Sequence, residues 1–237
     1  MIMPASDPTR IGSSPVSGTG GAVVLSLSET EALCSRAARG AGFDWGHSEE
    51  AGRAGAWLAR KGLAGCALVL RCLQMQPLHA PKLQPGRWAG GGVLCPLRSG
   101  TALADHANLP DGLRRDALAL ETTALPVLLL PFVARAAGLR GCAVALSAPG
   151  VALRIRPDGG LDDVEAVQAL ARLDAARIVL RPDPDTIVPA GTETPMPALP
   201  ATPMALWRAL DKLALRATVP PSESSLADAG GSGSDND

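Results

Sequence analysis

At 237 residues the chain is long enough to bury a core without covalent staples, and 46% hydrophobic against 19% charged residues is not the composition of a disordered polymer. A net charge of -1, no Tyr, two Phe and four Trp argue against a general nucleic-acid binder, which needs a positive field and stacking platforms. The five cysteines, Cys34, Cys66, Cys72, Cys95 and Cys142, are odd in number and widely spaced, which fits reduced, mostly buried thiols better than a disulfide framework or a zinc ribbon.

Residues 1–20 are rich in Ser, Gly, Thr and Pro without an apolar period, and are expected to lack fixed structure. MIMPASDPTRIGSSP has neither the basic start nor the apolar stretch of a signal peptide, so the expected location is cytoplasmic. The single domain expected over 21–217 begins with the short β-branched run AVVLSLS. Ser28 with Glu31 three positions later forms a capping box, which predicts a helix from Ser28 to about Gly40, with Leu33, Cys34, Ala37 and Ala38 on its inner side. A second helix is predicted after Ser48 as its cap, with Glu49 and Glu50 in the first turn, stopping at Gly62. Its small interior, AGRAGAWLA, carries Gly52 and Gly55, which weaken an isolated helix but permit close approach of another element. Leu63 to Met75 reads as an apolar helix or strand; the pattern fits both.

Pro77 to Gly92 is loop-like, and the runs VLCPL and TALAD are expected as strands around the turn RSG. ALALE, CAVALS, VALRIRP and ARIVLRP are further expected strands, interrupted by helices at PVLLLPFVARAAGL and DDVEAVQALARL. Ala124 to Ala134 is the most apolar segment; it is half the length of the ~20 residues needed to span a membrane and carries two prolines, so no membrane association is expected. Residues 182–203 form a Pro-rich connection before a last amphipathic helix, MALWRALDKLALR, and 218–237 form a Gly- and Ser-rich acidic tail. The expected fold class is α+β, a largely antiparallel or mixed sheet with helices packed on it.

Decisive catalytic motifs are missing: there is no GxxxxGK, GxSxG or HExxH, and SGTGG at Ser17 to Gly21 precedes a strand instead of following one. The densest polar cluster runs from Arg36 to Leu58, at the junction of the first two helices. There His47 is a candidate acid or base with Glu49 or Glu50 to orient it, and Arg36, Arg39 and Trp45 are candidates for binding an anionic substrate. The plainer reading makes Glu49, Arg53 and Trp57, four residues apart, a solvated stripe holding an ion pair and a cation over an aromatic ring. His79 and His106 read as surface or structural histidines, and Asp162 and Asp163 as helix-start charges.

The opening LSLSETEALCSRAARGAGFDWGHSEEAGRAGAWLARKGL, with its AARGAG, WG and EEAG elements, and the closing TVPPSESSLADAGGSGSDND together resemble an uncharacterised bacterial family known only as a domain of unknown function. The resemblance spans residues 25–237 and implies no activity, and Leu226 stands where the family pattern has a basic residue. By composition the ending reads as a solvated, disordered terminus; the resemblance adds the alternative that it is a built feature. Ser222, Glu223 and Ser224 would then hold a Gly-rich path and Asp235 or the terminal carboxylate would meet Arg36 or Arg39, with Ser222, Glu223, Asp235, Asn236 and Asp237 as candidate substrate-binding residues. Asp235, Asn236 and Asp237 alone are too few for a metal site, and no cofactor is implied. Two function classes remain: an enzyme or enzyme subunit acting on a small polar or anionic metabolite, and a non-catalytic binding or assembly module, homo-oligomeric or with a partner subunit.

Overall fold

The computed structural model describes residues 20–75, 77–113, 117–184 and 196–217. The N-terminal segment and the acidic tail, with Ser222, Glu223, Asp235, Asn236 and Asp237, lie outside these residues, so the contact with Arg36 or Arg39 does too.

Strand β1 (Ala22–Val24) leads into α1 (Leu27–Gly40), followed by α2 (Trp45–Arg60) and α3 (Gly65–Gln74). The capping box of α1 is Ser26 with Glu29, not Ser28 with Glu31: the Ser26 hydroxyl accepts the Glu29 N–H at 3.2 Å, and the Glu29 carboxylate accepts the Ser26 N–H at 2.8 Å. The segment LSLSETE contains both boxes, and the one used places Leu25 and Thr30 in the core. The start of α2 is also earlier than expected. Asp44 caps it, accepting the His47 N–H at 2.9 Å, while Ser48 is buried inside the helix with its hydroxyl on the Phe43 carbonyl. The ambiguous run after Leu63 is helical.

The small residues of α2 sit where helices meet. A Cβ on Gly52 would lie 2.6 Å from the Glu31 carbonyl oxygen of α1, and one on Gly65 would lie 2.0 Å from the Gly55 carbonyl oxygen. Close backbone packing of α1, α2 and α3 is the reason α2 tolerates a glycine-rich interior.

After the two-residue strand β2 (Arg87–Trp88), PLRSGTALAD forms a helix, α4 (Pro96–Asp105), instead of the turn and second strand expected there, while Leu94 just before it makes isolated parallel β-bridges with His79 and Thr123. Pro96 occupies its first turn, where a missing N–H costs nothing. Leu97, Gly100, Leu103 and Ala104 follow the helical period inward, and Gly100 lies against the Phe132 ring.

The remaining elements are β3 (Leu118–Ala124), a 3-10 turn at Pro126–Leu129, α5 (Leu130–Arg140), β4 (Ala143–Ala148), β5 (Val151–Ile155), α6 (Val164–Arg172), β6 (Ala175–Asp183), β7 (Ala201–Pro203) and α7 (Met204–Ala214). Asp163 caps α6, as its position predicts. The Pro-rich connection ends in β7, which pairs antiparallel with β1. The main sheet has the order β2-β3-β6-β4-β5, antiparallel except for β2 with β3. Its strands alternate as a half-covered sheet should: Val151, Leu153 and Ile155 of β5 are buried while Ala152 and Arg154 are exposed. The fold is therefore α+β with a mixed, largely antiparallel sheet. Helices α5 and α6 pack on the sheet, and α4 and α5 also touch α2, which joins the α1-α2-α3-α7 layer to the sheet in one continuous core. No described helix is long and apolar enough to cross a membrane.

Candidate functional site

The turn between α1 and α2 brings together most of the polar residues singled out in the sequence. Asp44 both caps α2 and binds the His47 ring, with Nδ1 2.9 and 2.8 Å from its two carboxylate oxygens. The backbone N–H of His47, followed by its ring, holds the Asp44 carboxyl below the ordinary aspartate value. The residue that orients His47 is thus Asp44, not Glu49 or Glu50. The opposite ring nitrogen is left to face outward, with the side chain about one-third exposed at 29%. Arg39 donates to the Phe43 carbonyl at 2.9 Å and lies 4.9 Å over the exposed Trp45 ring, and Arg98 lies 5.4 Å over Phe43. Arg36 is exposed and bonds to no described residue.

Glu49 and Glu50 serve a different group. Glu49 pairs with Arg53 at 3.1 Å on the outer face of α2, as the four-residue spacing predicts. Glu50 is buried, its side chain only 11% exposed, and one oxygen, Oε1, accepts a hydrogen bond from Arg53 Nη1 and another from Arg135 Nη1 of α5, both at 2.8 Å. Arg135 extends its other nitrogen toward Asp105 of α4, 3.6 Å away. Glu50 therefore holds two guanidinium groups by one atom and leaves each half exposed, with donors to spare.

These side chains border a cleft of about 330 Å³ between α2 and α5. Arg53, Arg135 and Glu50 form its polar wall, and Trp57, Pro131, Phe132 and Ala134 its apolar one. The turn after β5 closes the third side. Gly159, at φ +77, has the left-handed backbone that favours glycine, and a Cβ there would stand in ordinary contact with Trp57 Nε1, 3.9 Å away. Beside it Asp158 accepts the Gly160 N–H at 2.7 Å, and that bond, with Arg156, keeps its carboxyl below the usual range. The cation over Trp57 is Lys61, at 5.3 Å, rather than Arg53; burial pulls its ammonium below the ordinary lysine value, opposed by nearby Asp158.

A second hollow, of about 450 Å³, lies beside the glycine run 90–92, with Arg87 bonded to Glu121 at 2.8 Å on its wall. It lacks an aromatic wall and a buried ionic anchor. Of the two, the α2–α5 cleft has the features of a ligand site: concave, mostly apolar, with a few fixed polar groups. His106 is bonded to Asp111 at 3.0 Å and packs edge-on to Trp88, which makes it structural. Among the described residues, no three His, Cys, Asp or Glu side chains gather as a metal site.

Of the α2 residues lining this cleft the sequence singles out Glu50 as a site candidate and reads Arg53 and Trp57 as a solvated stripe; Arg135, Phe132 and Gly159 go unmarked. Arg135 stands 85 positions from Glu50, and nothing local marks it.

Residues 25–110 match the family described as Protein of unknown function (DUF3726). This agrees with the uncharacterised family that the opening motifs resemble. The DUF3726 segment runs from the start of α1 past the end of α4, so it contains Asp44, His47, Glu50, Arg53 and Trp57, while Arg135 and the Gly159 turn come from the chain that follows it. No curated protein matches the chain.

Proposed function

We propose that the protein binds a small anionic metabolite with an apolar body in the cleft between α2 and α5. The observation that carries this reading is the Glu50 anchor. A buried carboxylate that fixes two half-exposed guanidinium groups lowers the entropy cost of their binding an anion, because the side chains are already ordered. Trp57, Phe132 and Pro131 would cover the apolar part of the ligand. A carboxylate suits the planar forks of Arg53 and Arg135.

An enzyme reading uses the same cleft and adds the Asp44–His47 pair. A carboxylate on Nδ1 with the other ring nitrogen facing out is the arrangement of an oriented general base, and His47 stands one helical turn before Glu50 on α2.

Thermal-shift screening of carboxylated and phosphorylated metabolites, followed by calorimetry on the hits, tests the proposal. Arg135→Gln and Trp57→Ala should each weaken a hit at least about tenfold, the effect of losing ~1.4 kcal/mol of contact. Hits whose affinity ignores both substitutions would remove the cleft as the site. His47→Ala separates the two classes: a binding module keeps its affinity, whereas an enzyme keeps affinity and melting temperature but loses turnover.

A further inference from the structure

Four of the five cysteines are buried in two pairs along α3. Cys34 of α1 donates its thiol hydrogen to Cys66 of α3, with the sulfurs 3.9 Å apart. Cys72 of α3 and Cys95, at the N-cap position of α4, form the second pair, in which the neighbouring Cys95 and burial push the Cys72 thiol up. The first pair differs from ordinary core packing in its surroundings. Gly55 presents only hydrogen to Cys34: a Cβ there would stand 2.9 Å from the sulfur, so α2 can pass this close to the thiol because the residue is glycine. On the other side Cys66 borders a small void of about 20 Å³ between α3 and the β7 strand, lined also by Thr30, Thr202, Pro203 and Leu206. Space of that size holds one molecule about as large as water.

The two thiols are unequal. Hydrogen bonding from Cys34, and to a lesser extent from Thr202 and Thr30, lowers the Cys66 pKa against the opposing effect of burial. Cys34 is pushed up by giving that hydrogen bond and by burial. The pair thus has one sulfur suited to attack and a neighbour that keeps its proton.

We propose that Cys66 and Cys34 form a peroxide-reactive dithiol, in which hydrogen peroxide entering the void oxidises Cys66 and Cys34 then resolves it to a disulfide joining α1 to α3. In the first step the Cys66 thiolate attacks one peroxide oxygen and the O–O bond breaks. Cys66 becomes the sulfenic acid, and the departing hydroxide takes a proton to leave as water. In the second step Cys34 gives up its proton, its sulfur attacks Cys66, and the S–O bond breaks to release a second water. Two thiols are oxidised by two electrons and one peroxide is reduced. Thr30 and Thr202 line the same void as Cys66, where their hydroxyls can donate to the peroxide. The sulfurs must approach from 3.9 Å to the ~2.05 Å of a disulfide.

The full-length reduced protein is treated with hydrogen peroxide while folded, then denatured, alkylated and mapped by mass spectrometry. The expected main product is a Cys34–Cys66 cross-linked peptide. Cys66→Ser should abolish it and leave Cys34 alkylatable, and Cys34→Ser should leave a Cys66 sulfenic acid that dimedone traps. Should either variant fail to fold, the wild-type map decides alone. Cys34 and Cys66 both still alkylatable when the half-buried Cys142 has been oxidised, a cross-link confined to Cys72 and Cys95, or a Cys34–Cys66 cross-link that forms only in unfolded protein would each overturn the proposal.

Discussion

Arg135 of α5 and Glu50 of α2 meet at 2.8 Å across 85 positions of chain, and the same glutamate oxygen holds Arg53 at the same distance. The contact ties the helical layer to the helix that lies on the sheet. Glu50→Ala removes the acidic partner that Arg53 and Arg135 share and leaves their charge at the cleft wall. Both arginines are about half exposed, so water compensates part of the loss, and the expected destabilisation is about 2 kcal/mol, below the range for breaking a fully buried pair. Glu50→Gln, whose amide oxygen can still accept both hydrogen bonds but without the charge, should cost less. Urea denaturation of the three proteins gives the order.

Two glycine substitutions should move stability in opposite directions. Gly46 lies in the first turn of α2, where an added Cβ would come no closer than 3.8 Å to the Asp44 carboxylate, so Gly46→Ala should gain about 0.5 kcal/mol from backbone entropy. Gly65→Ala places a methyl 2.0 Å from the Gly55 carbonyl oxygen, and backbone cannot yield as a side chain can. The helices must separate, at a cost of about 1–3 kcal/mol. Paired thermal melts check both signs, and a stabilised Gly65→Ala would refute the close α2–α3 packing.

Asp44 should make the acid limb of the stability curve steeper. Its carboxyl is held below the ordinary value of 3.8 by the His47 backbone N–H and then the His47 ring. A depressed carboxylate contributes stability that is complete above the unfolded-state value and is lost as pH falls through the folded-state one. Wild type and Asp44→Asn should therefore differ at neutral pH and converge as the pH drops below about 4. Asparagine caps a helix nearly as well as aspartate, so the convergence reports the charge and not the cap. Melting temperatures from pH 2 to 7 measure it.

Trp57 should report cleft occupancy. It lies between the Lys61 ammonium at 5.3 Å and the Gly159 turn, so a ligand seated against the indole changes its surroundings. A bound anion should alter tryptophan emission in the wild type, and Trp57→Phe should remove most of that change while retaining more affinity than Trp57→Ala. A full fluorescence response in Trp57→Phe would show that another tryptophan senses the ligand.

The local signals in the chain locate elements better than they locate ends. LSLSETE offers two equivalent capping boxes, and the choice of Ser26 over Ser28 follows from burying Leu25 and Thr30 against neighbours outside the segment. VLCPLRSGTALAD reads as two strands around a turn because its Gly and Pro look like punctuation. In the fold Pro96 starts a helix, and Gly100 marks contact with Phe132. At the site, residue types and spacing along α2 were enough to find Glu49 with Arg53. The partner of His47 was misjudged because a residue three positions back, Asp44, serves as cap and ring acceptor at once.

The amino-acid sequence by itself determined the α+β class, the close packing of the first helices and the polar face of α2, since these depend on periodicity, side-chain size and neighbours within a turn. Only the tertiary structure decided that Arg135 completes the cleft, that Gly159 closes it and that Cys34 faces Cys66. Those contacts join residues 32 to about a hundred positions apart. Such pairings are fixed by how whole helices and strands bury their apolar faces, which no short stretch of sequence encodes.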